Sequence, residues 1–200
     1  WPIECSAMSM TYLGETFDIH VGGADLIFPH HENEIAQRQG ATGHPFVHHW
    51  MHVKHLLIDD ETMSKSKGNF FTIPDILERG HRPDAIRYLL AGSHYRKPLN
   101  FGFEGLHQAA AALERIHGLV QRLGEAEAEG TEGPAAAACE DARKAFDAAL
   151  ADDLNTPEAL AAVQELSVLT LVIVVVIRKR LIHLRVTGLV HPGLLGAAVR

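Results

Sequence analysis

Three observations predict an α/β fold followed by an α-helical bundle. Short β-like runs alternate with helical stretches and Gly/Pro punctuation over residues 1–101, as in layered α/β proteins. Apolar residues then recur at helical spacing over residues 103–166. An acidic, Gly-punctuated linker at residues 124–134 interrupts this helical part. We therefore predict domains at 1–101 and 102–166, with a separate tail over the remaining residues.

The composition excludes several classes of protein. The 200 residues contain 18 Lys+Arg against 25 Asp+Glu, and 46% are hydrophobic, so the chain is neither disordered nor collagen-like. A net charge of -7 argues against bulk attraction to nucleic acid, although a local basic patch could still contact a folded RNA. Two cysteines cannot build a disulfide framework, which favours a reducing compartment. Because the chain begins Trp-Pro rather than Met, we expect it to be a piece of a longer protein.

The predicted tail, residues 167–200, differs from the rest of the chain. It contains five basic residues and no acidic residue, with an apolar run from Val168 to Ile177. This run falls short of the roughly 20 residues that a membrane-spanning helix needs, so we expect no membrane association. Both a buried strand and an aggregation-prone edge fit such a β-branched block.

The predicted strands lie in the first part of the chain. Phe17–Val21 and Phe46–Ile58 are β-like runs, and the opening Trp1–Cys5 is also strand-like. A helix is predicted from residue 30 to about residue 39, directly after Pro29. Strands and helices in this order are typical of an α/β layer.

The second part is predicted to be helical. Apolar residues from Leu106 to Leu123 follow helical spacing, and an Ala-rich helix is predicted from Cys139 to Leu150. A third helix is predicted to begin with Thr156 as its cap. Pro157 suits the first helical position, and Glu158 favours the positive end of the helix dipole.

One group of residues has the chemistry of a metal site. In the predicted helix, His30 and Glu34 lie one turn apart on one face, which is a chelating arrangement. With the thiolate of Cys5 from a strand end, they offer N, O and S ligands suited to Zn²⁺. Two adjacent histidines and two glutamates leave several registers open. The alternative is that His30 and His31 only begin a helix and that Cys5 is a small buried apolar residue.

Residues 62–69, Thr-Met-Ser-Lys-Ser-Lys-Gly-Asn, form a predicted loop after a strand that ends at Asp59. Its lysines and hydroxyls can grip phosphate oxygens, as phosphoryl and nucleotidyl transfer require. The P-loop pattern is absent. A solvated turn with two lysines is the alternative.

Gly22-Gly23-Ala24-Asp25 follows the first predicted strand. A strand end followed by two glycines lets a ligand approach the backbone, and Asp25 can accept hydrogen bonds from ribose hydroxyls. An ordinary turn is the alternative. No catalytic role is assigned to the histidines that precede the loop, which are His44, His48, His49, His52 and His55.

Together these segments resemble the cysteinyl-tRNA synthetases, which are class I aminoacyl-tRNA synthetases. The matching segments are Trp1-Pro-Ile-Glu-Cys-Ser-Ala-Met-Ser, Phe17-Asp-Ile-His, Gly22-Gly-Ala-Asp-Leu, Pro29-His-His-Glu-Asn-Glu-Ile-Ala-Gln, Met63-Ser-Lys-Ser-Lys-Gly-Asn-Phe, Arg87-Tyr-Leu-Leu and Ser93-His-Tyr-Arg. Asp152-Asp-Leu-Asn-Thr-Pro-Glu-Ala resembles the start of a helix in the family's tRNA-binding bundle. The resemblance covers residues 1–166. It implies the second half of a Rossmann-like catalytic domain with a parallel sheet, followed by part of a helical bundle.

The resemblance implies roles for individual residues. Cys5, His30 and Glu34 match the family's zinc ligands, and Lys65 matches the catalytic, ATP-binding lysine of the signature loop. Trp1 matches a wall of the cysteine pocket. The other residues implied to contact ATP are Ser64, Ser66, Gly23 and Asp25, of which Asp25 resembles the residue that holds the ribose.

The implied reaction is ATP-dependent activation of cysteine to cysteinyl-adenylate, followed by transfer to tRNA(Cys). One Zn²⁺ per chain is the implied cofactor, and ATP with Mg²⁺, L-cysteine and tRNA(Cys) are the implied substrates and partners. A full-length protein of this family is implied to be monomeric and cytoplasmic.

The sequence departs from the family pattern at several positions. Thr62 stands where the loop usually has its first lysine, Pro2 replaces a histidine and Val21 replaces a glycine. The tail after Leu166 also leaves the pattern, and a shifted reading frame is our hypothesis for it. The family's upstream zinc cysteine and its His-Ile-Gly-His motif would precede residue 1, so we expect the isolated chain to be inactive.

Two other functions fit parts of the sequence. The cysteine ligase of mycothiol biosynthesis shares the zinc site and signature loop, but the tRNA-type start of the bundle helix favours the synthetase. A zinc- or nucleotide-binding module without turnover is the non-enzymatic alternative.

Overall fold

The structure is a computed structural model that describes residues 1–124 and 134–170. The contacts divide the chain into two compact units. Unit 1 comprises Trp1–Thr72 and Tyr95–Gly102, and unit 2 comprises Ile73–His94 with the chain from Phe103 onward. By contacts, residues 73–94 therefore group with the helical unit, although the sequence places them before the predicted boundary near residue 101. The domain boundary itself stays a prediction.

Unit 1 contains two helices and five strands. In chain order they are α1 (Pro2–Leu13), β1 (Phe17–Gly23), α2 (Glu32–Thr42), β2 (Val47–Val53), β3 (Leu56–Ile58), β4 (Glu61–Thr62) and β5 (Leu99–Phe101). Three short turns complete the unit, and they are the 3-10 turns Ala24–Leu26 and Lys65–Lys67 and the π-type turn Ile27–His31.

The strand predicted at Trp1–Cys5 is wrong, because this segment begins helix α1. Pro2 occupies the first turn, where its missing N–H costs no hydrogen bond, and Glu4 lies at the positive end of the helix. Gly14 ends the helix with φ of 87°, a backbone conformation that glycine adopts without strain. Cys5 is therefore presented from a helix rather than from a strand end.

The strands β1 and β2 are parallel, with Phe17 opposite Val47 and Gly23 opposite Val53. Helix α2 lies between them in the sequence and forms the crossover that a parallel pair requires. Phe46 is 1% exposed and packs edge-on against Phe17. The predicted α/β layer is confirmed here, and the segment with His30 and Glu34 follows β1, at the edge where α/β proteins commonly bind ligands.

The β-like run predicted over Phe46–Ile58 contains two strands in different sheets. β2 ends at Val53, and the Lys54 N–H then donates to the Tyr95 carbonyl at 2.9 Å. β3 pairs with β4 in an antiparallel hairpin and with β5 in parallel. Asp59 and Asp60 connect β3 to β4 with positive φ angles, as a tight hairpin turn requires.

Unit 2 is helical over its described residues. Its helices are α3 (Ile73–Glu78), α4 (Pro83–Ala91), α5 (Phe103–Gly124), α6 (Pro134–Ala151) and a further helix, α7, over residues 156–170. The buried apolar residues of this unit are Ile76, Ala85, Ile86, Leu106, Ala109, Ala112, Leu119, Ala149, Ala159 and Ala162. The helical spacing predicted from Leu106 to Leu123 is confirmed, since α5 buries one face.

The start of α7 differs from the prediction in its capping residue. Asn155, rather than Thr156, precedes the helix and accepts the Glu158 N–H on Oδ1 at 3.4 Å. Asparagine competes well for this position because its side-chain oxygen replaces an intrahelical acceptor. Gln164 of the same helix donates to the Tyr88 hydroxyl at 3.1 Å.

Helix α7 continues through residues 167–170, so the first residues of the predicted tail are helical rather than a strand. The rest of that tail and most of the predicted linker, residues 125–133, lie outside the described residues. Within the described parts of the chain, no helix combines the length and the apolar character needed to cross a membrane.

Candidate metal centre

The predicted metal ligands come from three elements of unit 1. Cys5 lies on α1 and is half-buried. His30 lies in the turn that precedes α2, and Glu34 lies in the first turn of α2 and is 1% exposed. The predicted helix from residue 30 begins at Glu32 in the structure, but the one-turn spacing survives. The His30 Nε2 and Glu34 Oε1 atoms are 3.3 Å apart.

These three residues, named here the ligand cluster, bring one ligand atom each within 4.8 Å of one another. Tetrahedral zinc bonds of about 2.0–2.3 Å place neighbouring ligand atoms roughly 3.3–3.8 Å apart, so small shifts would close the set around one ion. The structure therefore brings together Cys5, His30 and Glu34, and leaves their metal role a prediction.

The buried carboxylate of Glu34 supports a cation at this position. Both of its oxygens are buried, and neither accepts a hydrogen bond of good geometry among the described residues, where the nearest ring nitrogens, of His20 and His30, lie 3.3 Å away. An uncompensated buried carboxylate is costly, and buried charges in proteins are normally paired or bound to metals. Burial, and then the negative charge of Glu34, raise the pKa of the Cys5 thiol. A bound cation would stabilise both the buried Glu34 carboxylate and the Cys5 thiolate, so the residues present fit Zn²⁺.

Two further histidines lie beside Glu34; His31 was one of the two adjacent histidines considered in the sequence analysis, whereas His20 was not singled out. His20 and His31 form a second group with Glu34 in which the possible ligand atoms lie within 4.8 Å of one another. His20 Nε2 is 3.3 Å from Glu34 Oε2, the oxygen that does not face His30. Two anions, Cys5 and Glu34, can balance the charge of one divalent ion but not of two. We therefore interpret this group as the neutral surroundings of Glu34.

Burial keeps these two histidines uncharged. It lowers the pKa of His20, and it lowers the pKa of His31 to about 4, with neighbouring histidines adding to the effect. The His31 Nδ1 atom is 2.8 Å from His52 Nε2, and its ring packs against Trp50. The alternation of β2 predicts that Trp50 and His52 share a face, and their rings do stack.

The depressed pKa of His31 predicts acid sensitivity of the metal-free chain. Below about pH 6.5 the unfolded chain protonates this histidine while the folded chain does not. In chelator, the free energy of unfolding is therefore expected to fall as the pH drops from 6.5 and to stop falling from this cause below about 4. Urea unfolding across this range checks the profile. His31→Gln should flatten it and the exposed His48→Gln should not; an unchanged slope in His31→Gln would contradict the prediction.

The Gly22-Gly23-x-Asp25 segment is more tightly fitted than an ordinary turn. Both glycines belong to β1. A Cβ atom added to Gly23 would lie 2.3 Å from Asp25 Oδ1, and one added to Gly22 would lie 2.6 Å from His31 Cε1. The predicted ribose contact of Asp25 stays a prediction. The predicted role of Trp1 as a pocket wall also stays a prediction. Its side chain is 86% exposed.

The predicted phosphate loop is held by a residue that the sequence analysis did not single out. Asn69 accepts the Ser64 N–H at 2.8 Å and donates to the Thr62 carbonyl at 3.3 Å. The Ser64 and Ser66 hydroxyls are 2.8 Å apart. The sequence shows Asn69 at the end of the motif, but it does not show that its side chain binds the loop backbone.

The two lysines of this loop differ in their surroundings. Lys67 Nζ donates to Glu61 Oε2 at 2.8 Å, whereas Lys65 Nζ lies over the Phe70 ring, 5.3 Å from its centroid. Lys65 is exposed, so its ammonium group remains accessible to a phosphate. The ATP-binding and catalytic role of Lys65 stays a prediction, as do those of Ser64 and Ser66.

Two family matches cover both parts of the chain. Residues 1–111 match the catalytic domain of the class I (C) tRNA synthetases, and residues 145–168 match the DALR domain. The first match includes the ligand cluster and the phosphate loop.

Several curated relatives are similar over most of this chain. It is 53% identical over 167 residues to the Cysteine--tRNA ligase of Alkalilimnicola ehrlichii, covering 84% of this chain and 35% of that protein. The Cysteine--tRNA ligases of Koribacter versatilis and Azotobacter vinelandii are 50% and 51% identical over 167 residues. The alignments cover 83% and 84% of this chain and 34% of each relative. The chain thus spans about a third of the length of these relatives.

A solved structure agrees on the fold. The ternary complex of Agrobacterium radiobacter K84 agnB2 LeuRS with tRNA and LeuAMS matches with a TM-score of 0.59 at 20% identity. The match covers 75% of this chain and 21% of that one, and at this identity it shows the fold alone. With the family matches, it confirms the predicted class, a class I synthetase catalytic fold with parallel strands and a following helical region.

Proposed function

This chain belongs to the cysteinyl-tRNA synthetase family of class I, and we propose that it forms part of an enzyme that activates L-cysteine with ATP and transfers it to tRNA(Cys). The proposal rests on one observation: possible ligand atoms of Cys5, His30 and Glu34 lie within 4.8 Å of one another. The Glu34 carboxylate in this group is buried and accepts no hydrogen bond of good geometry among the described residues. These three side chains would hold one Zn²⁺ per chain.

The ligand cluster supports selection of cysteine over serine. Zn²⁺ bound there would supply a soft acceptor for the substrate thiolate, which a serine hydroxyl cannot match. The residues themselves fix the position of the ion: Glu34 cannot move far because it is buried, and His30 lies one helical turn away. The raised pKa of Cys5 means that metal binding must release a proton from its thiol.

The phosphate loop supports the use of ATP with Mg²⁺. We propose that Lys65 neutralises phosphate charge while the cysteine carboxylate attacks the α-phosphate, with Ser64 and Ser66 contacting phosphate oxygens. Gly23 and Asp25 would meet the ribose, and Trp1 would face the bound amino acid. The reaction needs positioning and charge stabilisation rather than a covalent enzyme intermediate. With Thr62 in place of a lysine, the loop offers one fewer positive charge.

The helical unit supports tRNA as a partner. The DALR match lies on α6 and α7, at the position where the sequence resembles the start of the family's tRNA-binding bundle. We further propose that the full-length protein is a cytoplasmic monomer. Because the chain spans about a third of its curated relatives, the 200 residues alone are expected to show no turnover. ATP–pyrophosphate exchange above the blank by this chain would contradict that expectation.

The metal proposal is tested by metal content and by a cobalt spectrum. The purified chain is expected to hold about one zinc per chain, and Cys5→Ser should lose it. In the Co²⁺-loaded chain, a thiolate-to-cobalt charge-transfer band is expected, and L-cysteine should perturb it while L-serine does not. Cys139→Ser, an exposed cysteine on α6, is the matched control and should behave like the parent chain. Equal zinc content in Cys5→Ser and the parent would refute the ligand assignment.

A further inference from the structure

Among residues 1–124 and 134–170, Arg38 is the most deeply buried charged residue outside the ligand cluster. Its side chain is 0% exposed and lies over the Phe46 ring, 4.7 Å from the centroid. Nη1 donates to the Ser6 carbonyl at 2.9 Å and to Ser9 Oγ at 3.1 Å. Nη2 donates to the carbonyls of Gly14 and Glu15 at 2.7 and 2.8 Å. A buried guanidinium is costly unless its donors are satisfied, and here four acceptors bind the two terminal nitrogens, while Nε has no partner among the described residues.

All four acceptors lie on α1 or directly after it, whereas Arg38 itself lies on α2. Gly14 is the C-terminal cap of α1, where carbonyls lack intrahelical partners and a positive charge is favourable. One side chain of α2 thus hydrogen-bonds both to the middle of α1 and to the residues that end it. A second tie runs in parallel, because Ser6 Oγ donates to Gln37 Oε1 at 2.8 Å.

The same two helices carry the ligand cluster. Ser6, whose carbonyl Arg38 binds, directly follows Cys5 in the sequence. Arg38 lies one helical turn after Glu34, so the two share a face of α2. The guanidinium therefore links α2, which carries Glu34, to the part of α1 that carries Cys5. Its planar fork fixes both distance and angle, which a flexible ammonium group does not.

We propose that Arg38 is a positioning residue for the metal centre, setting the distance from the Cys5 thiol to the Glu34 carboxylate by clamping α1 onto α2. The proposal rests on the metal role assigned to the ligand cluster above. Partners that orient metal ligands typically contribute about 10–100-fold to metal affinity. Arg38 is expected to act in that range although it touches no ligand side chain.

The test is a Co²⁺ titration of the full 200-residue chain in a Cys139→Ser background, so that Cys5 is the only thiol. The affinity and the intensity of the thiolate-to-cobalt band are measured together. Arg38→Met is expected to lower the affinity about 10–100-fold and to weaken the band, and Arg38→Lys to recover part of both. Arg143→Met removes an exposed arginine of α6 that pairs with Glu140 and Asp147, and it should change neither.

A milder pair of variants keeps the test decisive if Arg38→Met fails to fold. Ser9→Ala removes one acceptor of Arg38, and a two- to five-fold loss of Co²⁺ affinity is expected. Thr11→Ala removes a hydroxyl on the same helix that donates only to the Ala7 carbonyl among the described residues, and no loss is expected. Far-ultraviolet circular dichroism verifies that both variants fold.

The outcomes separate the two proposals. Absence of a thiolate-to-cobalt band in the parent chain would remove the ligand assignment itself. A normal band in the parent, with Arg38→Met or Ser9→Ala binding Co²⁺ as tightly as the parent, would overturn the positioning role and leave the assignment standing. A purely structural arginine would lower the unfolding free energy while the folded molecules kept full Co²⁺ affinity and band intensity.

Discussion

In the metal-free chain, Glu34→Gln is expected to raise the free energy of unfolding by about 1–3 kcal/mol, because a buried carboxylate loses more hydration than a buried neutral amide does. Both oxygens of Glu34 are buried without a hydrogen-bond partner in the described part of the chain, and burial keeps the nearby His20 neutral. The nearest ring nitrogens, those of His20 and His30 at 3.3 Å, offset only part of the hydration that the wild-type carboxylate loses. Glutamine has the same shape and no charge, so the substitution removes the extra desolvation cost of the charge without opening a cavity, although its amide is still a buried polar group.

The sign reverses when zinc is present. A ligand that binds only the folded state adds about 2.7 kcal/mol at a concentration of 100 Kd, and Glu34→Gln should lose this gain because it removes an anionic ligand. Urea unfolding in chelator and in excess Zn²⁺ measures both terms. A chain that is more stable than the parent without metal and less stable with it is the expected result.

Glu32→Gln is the matched control for this experiment. Glu32 is exposed in the first turn of the same helix, where its charge is worth about 0.3–1 kcal/mol to the helix dipole. Its loss should destabilise slightly and equally in both solutions. If Glu34→Gln instead destabilises the metal-free chain, the carboxylate has a compensating partner, and the reason for placing a cation beside it disappears.

The sequence predicted the order of elements well and mispredicted the element that carries Cys5. Parallel strands around a helix follow from period-two runs and glycine punctuation, which are local signals. Trp-Pro-Ile-Glu-Cys also contains β-formers, and strand and helix cannot be distinguished over five residues. The residues after Cys5 distinguish the two, since the helix continues to Leu13 and ends at the Gly14 cap.

The ligand cluster could be predicted because two of its members are four residues apart and the third matches a family motif. Its surroundings could not. His20 of β1 and His31 of the turn before α2 lie beside Glu34, and His52 of β2 contacts His31. The parallel register of β1 and β2 brings His20 and His52 into this group. From the sequence, Arg38 resembles an ordinary polar residue of an exposed helix; the structure shows its four acceptors on α1 and directly after it. Such contacts depend on tertiary packing, which periodicity does not encode.

Gly22→Ala is expected to destabilise the chain by about 1–3 kcal/mol, the usual cost of adding a methyl group to a filled site. The new Cβ would lie 2.6 Å from His31 Cε1 and 2.8 Å from Nε2, which is closer than real Cβ atoms approach. The ring cannot easily retreat, since it is 3% exposed, bonded to His52 and packed on Trp50. Metal affinity should fall as well, because a displaced His31 ring would shift the neighbouring Glu34 carboxylate.

Gly40→Ala provides a control of opposite sign for the same substitution. Gly40 lies inside α2, and an added Cβ would meet no described atom within 4 Å. Alanine is favoured over glycine in a helix by roughly 0.5–1 kcal/mol, so this variant should be more stable than the parent. Urea unfolding of both variants in chelator gives the comparison. The double variant Gly22→Ala/His31→Ala should lose less than the two single changes added together, because removing the ring relieves the clash. Strict additivity would show that the methyl group meets something other than His31, and that the glycine serves the strand rather than the histidine beside the metal centre.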